Sequence, residues 1–188
     1  MEGCYILGLD PSNVHTAYAV LELPSLKPVE FGFLPEDEML DFVERATQKY
    51  KHVYLAIEGV QNLGMIVGQT VFDTCVLVGR LLERAKLMPL LDPLWDDWKE
   101  DIVYCGTPYR DIRLIYRKQE KMNLCGTMRS KDKDIKEALV KRFAPDTPND
   151  GKGNKKSQGW FYGVAKDIWS AIAVGVTYHD LYLKQAES

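Results

Sequence analysis

Cys4-Tyr5-Ile6-Leu7-Gly8-Leu9-Asp10-Pro11-Ser12-Asn13 is an apolar run carried to its end by one carboxylate and then broken by a proline. The uncharged stretch from Cys4 to Leu9 reads as a strand buried on both faces, and burying an acid at its tip costs several kcal/mol unless something cationic meets it. A turn alone accounts for part of this, because aspartate bonds its own backbone and proline presets φ. A second run ends the same way. Val53-Tyr54-Leu55-Ala56-Ile57 leads straight into Glu58 and Gly59, and two strand-end acids ask for a common reason.

Between and beyond these runs the chain alternates strands and helices. Residues 17–23 and 29–34 are rich in strand formers and are separated by Pro24-Ser25-Leu26-Lys27-Pro28, so with the first run they predict an antiparallel meander. Pro35-Glu36-Asp37-Glu38 opens a helix that runs to Tyr50, with proline and acids in its first turn. A long helix is expected over 65–87, with Val67, Val71, Cys75, Val78, Leu81 and Leu82 at helical spacing. Leu94-Trp95-Asp96-Asp97-Trp98 reads as an irregular connection. Ile102-Val103-Tyr104-Cys105 reads as a fifth strand, and Thr107-Pro108 as the cap of a helix through Arg117. Another helix follows Ser130, with Ile135, Ala138, Leu139 and Phe143 on its inner side. The segment 145–157 is a Pro/Gly/Asn-rich loop, and a last helix covers 164–183, with Asp167 and Ser170 on one side of its first turn.

The 188 residues, 46% of them hydrophobic and 27% charged, fit one globular domain over 1–188. No stretch approaches the roughly 18 apolar residues of a membrane span and no leader pattern opens the chain, so a soluble cytoplasmic protein is expected. Cys4, Cys75, Cys105 and Cys125 form no C-x-x-C pair, which argues against a zinc site and against a disulfide framework. The net charge of −3 hides an asymmetry: Arg110 to Arg142 holds eleven Lys/Arg against five Asp/Glu, a balance of +6, leaving −9 elsewhere. A basic face beside an acidic one fits a nucleic-acid partner, while solvated amphipathic helices would show the same lysines.

Three carboxylates thus stand at element ends: Asp10, Glu58 and Asp167. If the first and fourth strands lie parallel and adjacent, their acids emerge together at the sheet edge where α/β folds bind ligands. Anions so placed repel by about 4 kcal/mol per pair at 4 Å in an effective dielectric near 20, which makes the arrangement stable only around cations. Oxygen-only ligands favour Mg²⁺ or Mn²⁺. Two such ions about 4 Å apart activate water and stabilise the leaving oxygen of a phosphodiester.

The element order is that of a ribonuclease H-like fold: a mixed five-stranded sheet, three antiparallel strands and then two parallel, flanked by helices. The chain resembles the RuvC-type Holliday junction resolvases, particularly the divergent forms carried by bacteriophages. The resemblance rests on Gly8-Leu9-Asp10-Pro11-Ser12 with Thr16-Ala17-Tyr18-Ala19-Val20, and on Ala56-Ile57-Glu58. It extends to Gly68-Gln69 with Val78-Gly79-Arg80, and to Lys166-Asp167-Ile168-Trp169-Ser170-Ala171-Ile172-Ala173. It implies a homodimeric endonuclease that makes paired nicks in four-way or other branched DNA with two Mg²⁺ or Mn²⁺ ions, in the cytoplasm of a bacterial host cell. By position, Asp10 would bridge both metals, Glu58 would bind one and Asp167 the other. The long helix would form the dimer interface. Arg129, Lys131, Lys133 and Lys136, with Lys152, Lys155 and Lys156 of the loop, would track the DNA.

Two positions depart from the family pattern. Ser170 stands where a fourth acid is usual, and Gln61 stands where an aromatic wedge is usual. Ser170, as a fourth metal ligand, would be weaker than a carboxylate. Two further readings therefore stay open: a junction-binding protein with weak or no cleavage, and a ribonuclease H-like nuclease acting on another nucleic acid. An actin-like ATPase of the same fold class is disfavoured, because the sequence shows no second Gly-rich phosphate-binding loop.

Overall fold

The computed structural model describes residues 3–61, 64, 67–87 and 109–184. Strands β1 (Cys4–Asp10), β2 (Thr16–Glu22) and β3 (Lys27–Leu34) are followed by α1 (Glu36–Lys49), β4 (His52–Gly59) and α2 (Gln69–Leu87). Then come β5 (Ile112–Tyr116), α3 (Arg117–Cys125), α4 (Asp132–Phe143) and α5 (Ile168–Tyr178), which a π-helical turn, His179–Leu183, extends. The strands form one mixed sheet in the order β3-β2-β1-β4-β5, antiparallel through β1, β2 and β3 and parallel through β1, β4 and β5. This is the ribonuclease H-like sheet expected from the element order.

The uncharged runs of β1 and β4 are buried on both faces, as parallel strands between helical layers must be. One core gathers Leu7, Leu9, Val20, Leu55 and Ile57 under α1 and α2. The other gathers Ile6, Ala19, Leu21, Ala56 and Ile115 under α5, with Ile135 and Leu139 of α4. Side chains alternate across a strand, so Gly8 and Asp10 share the α5 face with Ile6, and Glu58 shares it with Ala56. The meander and the parallel register thus aim both strand-end acids toward the last helix.

Gly8 sets how close that helix comes. A Cβ built there would lie 2.2 Å from the Ala171 carbonyl oxygen of α5, and one at Gly175 would lie 2.7 Å from Leu21 Cδ1. Backbone therefore packs on backbone, and the first turn of α5 is held over the end of β1.

One expectation is corrected. The strand that pairs with β4 is Ile112–Tyr116; the strand expected at 102–105 lies outside the described residues, as do Trp95, Trp98 and Met65. The helix expected through Arg117 is therefore replaced by strand over its last turn. The free edge of β4 decides this: its backbone groups need a partner, and Ile-Arg-Leu-Ile-Tyr, with two isoleucines and a tyrosine, suits one better than a helix. Smaller shifts are that α2 begins at Gln69, α5 at Ile168, and β3 at Lys27. Pro28 is accommodated because β3 is the sheet's edge. Cys4, Cys75 and Cys125 are free thiols. Among the described residues, no helix is long and apolar enough to cross a membrane.

Gly8→Ala should lower stability by about 1–3 kcal/mol, the usual cost of overpacking a close contact. Urea denaturation would read it, and an unchanged midpoint would mean that α5 is not seated on Gly8.

Candidate active site and metal centre

The register of β1 and β4 brings the first two acids level. Leu9 pairs with Ile57, so Asp10 and Glu58, the next residue of each strand, end side by side. Their carboxyls share a hydrogen bond. Asp167 caps the N-terminus of α5, and its carbonyl accepts the Ala171 N–H at 3.1 Å. Its side chain is exposed, and its negative charge reaches Asp10. Ser170 is half-buried one turn on.

A fourth acid and a cation join this group from an element that sequence reasoning misplaced. Glu58 pairs with Ile115 and Gly59 with Tyr116 across β4 and β5, and α3 begins at the next residue, Arg117. The Tyr116 N–H donates to Gln119 Oε1 at 2.8 Å and closes the first turn. Arg117 and Glu120, one turn apart on α3, therefore lie beside the end of β4. Glu120 is 0% exposed. Arg117 Nη1 donates to Glu120 Oε2 at 2.7 Å, and Nη2 donates to Asp132 at the start of α4. Glu120 Oε1 has no hydrogen-bond partner. A readable signal existed in the Arg117-x-x-Glu120 pair. It was hidden because a helix was expected up to Arg117, and Glu120 counted only as one of the acids in a basic segment.

The electrostatics follow from this crowding. Burial, then the charge of Glu58 and the hydrogen bond shared with it, push the Asp10 carboxyl up to about 8, with Asp167 adding and Arg117 opposing. Glu58 is also pushed up, by burial first and then by Glu120, while Arg117 opposes. Glu120 follows, raised by burial and by Asp10 against the pull of Arg117. The guanidinium is held firmly charged, since Glu120, Glu58 and Asp132 outweigh its burial.

The donor chemistry fits a hard divalent cation: oxygens only, desolvated, one of them unpartnered. Asp10 and Glu58, with Asp167 and the Ser170 hydroxyl at the rim, are the residues that would hold it. Among the described residues, no three His, Cys, Asp or Glu side chains are gathered closely enough to ligate an ion as they stand; Arg117 supplies the positive charge.

The basic residues divide in two. Arg129, Lys131, Lys133, Lys155 and Lys156 are exposed and Lys152 is half-buried. Lys133 makes only a loose 3.4 Å pair with Glu137. Lys136 is engaged: its Nζ meets Asp150 Oδ2 at 2.5 Å and lies 5.5 Å from the Trp169 ring centre. Asp132, which stands between Lys131 and Lys133 in the chain, bonds Arg117.

No protein-family model and no curated protein matches the sequence. Solved structures do match the fold. A Thermus thermophilus RuvC in complex with a Holliday junction substrate is 13% identical with a TM-score of 0.62, over 97% of this chain and 96% of that one. A second T. thermophilus RuvC structure is 14% identical with a TM-score of 0.54, over the same shares. These likenesses show the fold, a ribonuclease H-like α/β sheet.

Asp10 carries a pH prediction. Its folded value of about 8 lies above the ordinary 3.8, so between these the folded state keeps a proton that the unfolded chain releases, and stability falls as pH rises. Chelator-treated protein should therefore melt lower at pH 8 than at pH 6, with a shallower slope in Asp10→Asn. Equal slopes in the two proteins would remove Asp10 from the cluster.

Proposed function

We propose that the chain is a single-domain, structure-selective DNA endonuclease that cuts four-way or other branched DNA junctions by metal-dependent phosphodiester hydrolysis. The observation that carries this is the level pair of largely buried carboxyls, Asp10 and Glu58, at the ends of adjacent parallel strands, with Asp167 on the helix seated over them. The likeness to a RuvC bound to a Holliday junction substrate supports the choice of branched DNA.

Bound Mg²⁺ or Mn²⁺, two ions on this reading, would supply an activated water and stabilise the leaving oxygen. The chain's own residues do the rest. Asp10 and Glu58 offer their oxygens from the rigid sheet edge, and the proton they share must leave when a cation enters, so ion binding strengthens with pH. Asp167 and the Ser170 hydroxyl face the same space from α5, at the solvent side where a phosphate arrives. Arg129, Lys131 and Lys133, with Lys152, Lys155 and Lys156 of the loop, present charge to the flanking backbone, and Lys136 joins them once drawn from Asp150. Such contacts position DNA without reading its sequence.

A homodimer completes the reading, because paired nicks need two sites. On α2, Phe72 is 55% and Val76 64% exposed. With Gly68, Cys75 and Gly79, also exposed, they make an apolar and small-residue stripe at helical spacing. A second copy packed on this stripe would place two carboxylate clusters in one particle, in the cytoplasm of a bacterial host cell.

Incubation with a labelled four-way junction, a linear duplex and an RNA–DNA hybrid, with Mg²⁺, Mn²⁺ or chelator, tests the function. Symmetric, metal-dependent cutting of the junction alone is expected, and Asp10→Asn should cost more than the ~10–100-fold that loss of a supporting group costs while junction binding persists. Hybrid cutting would favour the alternative nuclease. Binding without cutting would favour a junction-binding protein, the reading to which Ser170 and the Arg117-neutralised cluster lend themselves. For the dimer, Phe72→Glu with Val76→Glu should sediment as a folded monomer where the parent chain is a dimer; a parent monomer at micromolar concentration refutes it.

A further inference from the structure

We infer that Glu120 is itself a ligand of the metal centre, taking a divalent cation together with Asp10 and Glu58, and that Arg117 is the counter-ion this cation displaces. The inference rests on the reading of the cluster as a metal site and adds a residue from α3 to it.

Glu120 does not behave as half of a structural ion pair. One oxygen accepts from Arg117 at 2.7 Å, yet the other is buried with no partner, the only carboxylate oxygen in that condition among the described residues. Buried polar atoms are nearly always paired, so an orphaned carboxylate oxygen marks a place for something else. Around Glu120 stands more negative charge: Asp10 acts on it, and Glu120 is in turn the strongest charge acting against Glu58. A buried arginine needs one acid to balance it. Here three largely buried acids, Asp10, Glu58 and Glu120, meet one guanidinium, so negative charge is left in excess even while Arg117 stays in place.

The arginine also has somewhere to go. Its second branch is bonded to Asp132, whose side chain is 85% exposed at the start of α4. Giving up Glu120 would leave the guanidinium paired at the mouth of the site. From the other side, α5 contributes an exposed acid and a hydroxyl, Asp167 and Ser170. Among the described residues Glu120 is the only fully buried acid, and it supplies from α3 the carboxylate that Ser170 does not supply from α5.

Mn²⁺ binding, followed by the loss of the free-ion electron paramagnetic resonance signal, tests this without cleavage. Parent, Asp10→Asn, Glu120→Gln and Arg117→Met proteins would be titrated with Mn²⁺ alone, and melted in chelator. Glu120→Gln keeps an oxygen for Arg117 and removes one crowded charge, so it should melt no lower than the parent yet bind Mn²⁺ about tenfold more weakly or worse, at least the loss seen on removing a ligand's support. Arg117→Met should bind it severalfold more tightly. Parent-like affinity in Glu120→Gln, with affinity lost in Asp10→Asn, overturns the role of Glu120 and leaves the proposed function standing. No binding by the parent at millimolar Mn²⁺ overturns both. Should Glu120→Gln fail to fold, Arg117→Met decides: unchanged affinity there overturns the inference.

Discussion

The Ala171 carbonyl of α5 lies where a side chain on Gly8 would have to be, 2.2 Å from the ideal Cβ position. The rest of the site depends on this contact between backbones. It fixes the depth at which the last helix rests on β1 one turn after Asp167 and two residues before Asp10. A helix set farther out by one methyl group would draw Asp167 away from Asp10 and leave Asp10 beneath a gap. The apolar surface of α5, buried from Ile168 through Tyr178 except at Ser170, supplies the driving force, and the absence of side chains at Gly8 and Gly175 supplies the geometry.

Against that seating works the repulsion of the acids it gathers. Asp10, Glu58 and Glu120 are each pushed toward their protonated forms, first by burial and then by one another. The chain tolerates this through a shared proton between Asp10 and Glu58 and through one guanidinium divided between Glu120 and Asp132. Both devices are removable. A proton leaves as pH rises, and an arginine with a second, exposed partner can turn aside. A cluster built only for stability would use fewer acids and satisfy every oxygen, since a buried pair with unmet hydrogen-bonding capacity destabilises more than it contributes. The strain is therefore spent where a cation would relieve it, at the end of the sheet where α/β folds bind their ligands.

Much of this was legible in residue order. The twin endings Leu9-Asp10 and Ile57-Glu58 are local signals, because a strand buried on both faces must be apolar throughout and an acid at its tip stands out. The meander, the acidic start of α1, and Asp167 beside Ser170 are local in the same sense. The fifth strand was not legible. Ile112–Tyr116 takes its conformation from the open edge of β4, whose paired residues lie 57 positions earlier in the chain, and short apolar runs do not declare helix or strand on their own. With a helix expected over these residues, the start of α3 at Arg117 was missed too, and Arg117 and Glu120 dissolved into a count of charges.

The amino-acid sequence by itself determined the class of the sheet, the two strand-end acids and the helix that approaches them, because periodicity, turn chemistry and charge are properties of neighbours along the chain. Only the tertiary structure decided the company those acids keep. Register made Asp10 and Glu58 level, the bare backbone at Gly8 brought α5 down beside them, and the pairing of β5 with β4 delivered Glu120 with one buried oxygen unsatisfied. Each of these is a contact between residues far apart in the chain, whose energy is set by distance and desolvation.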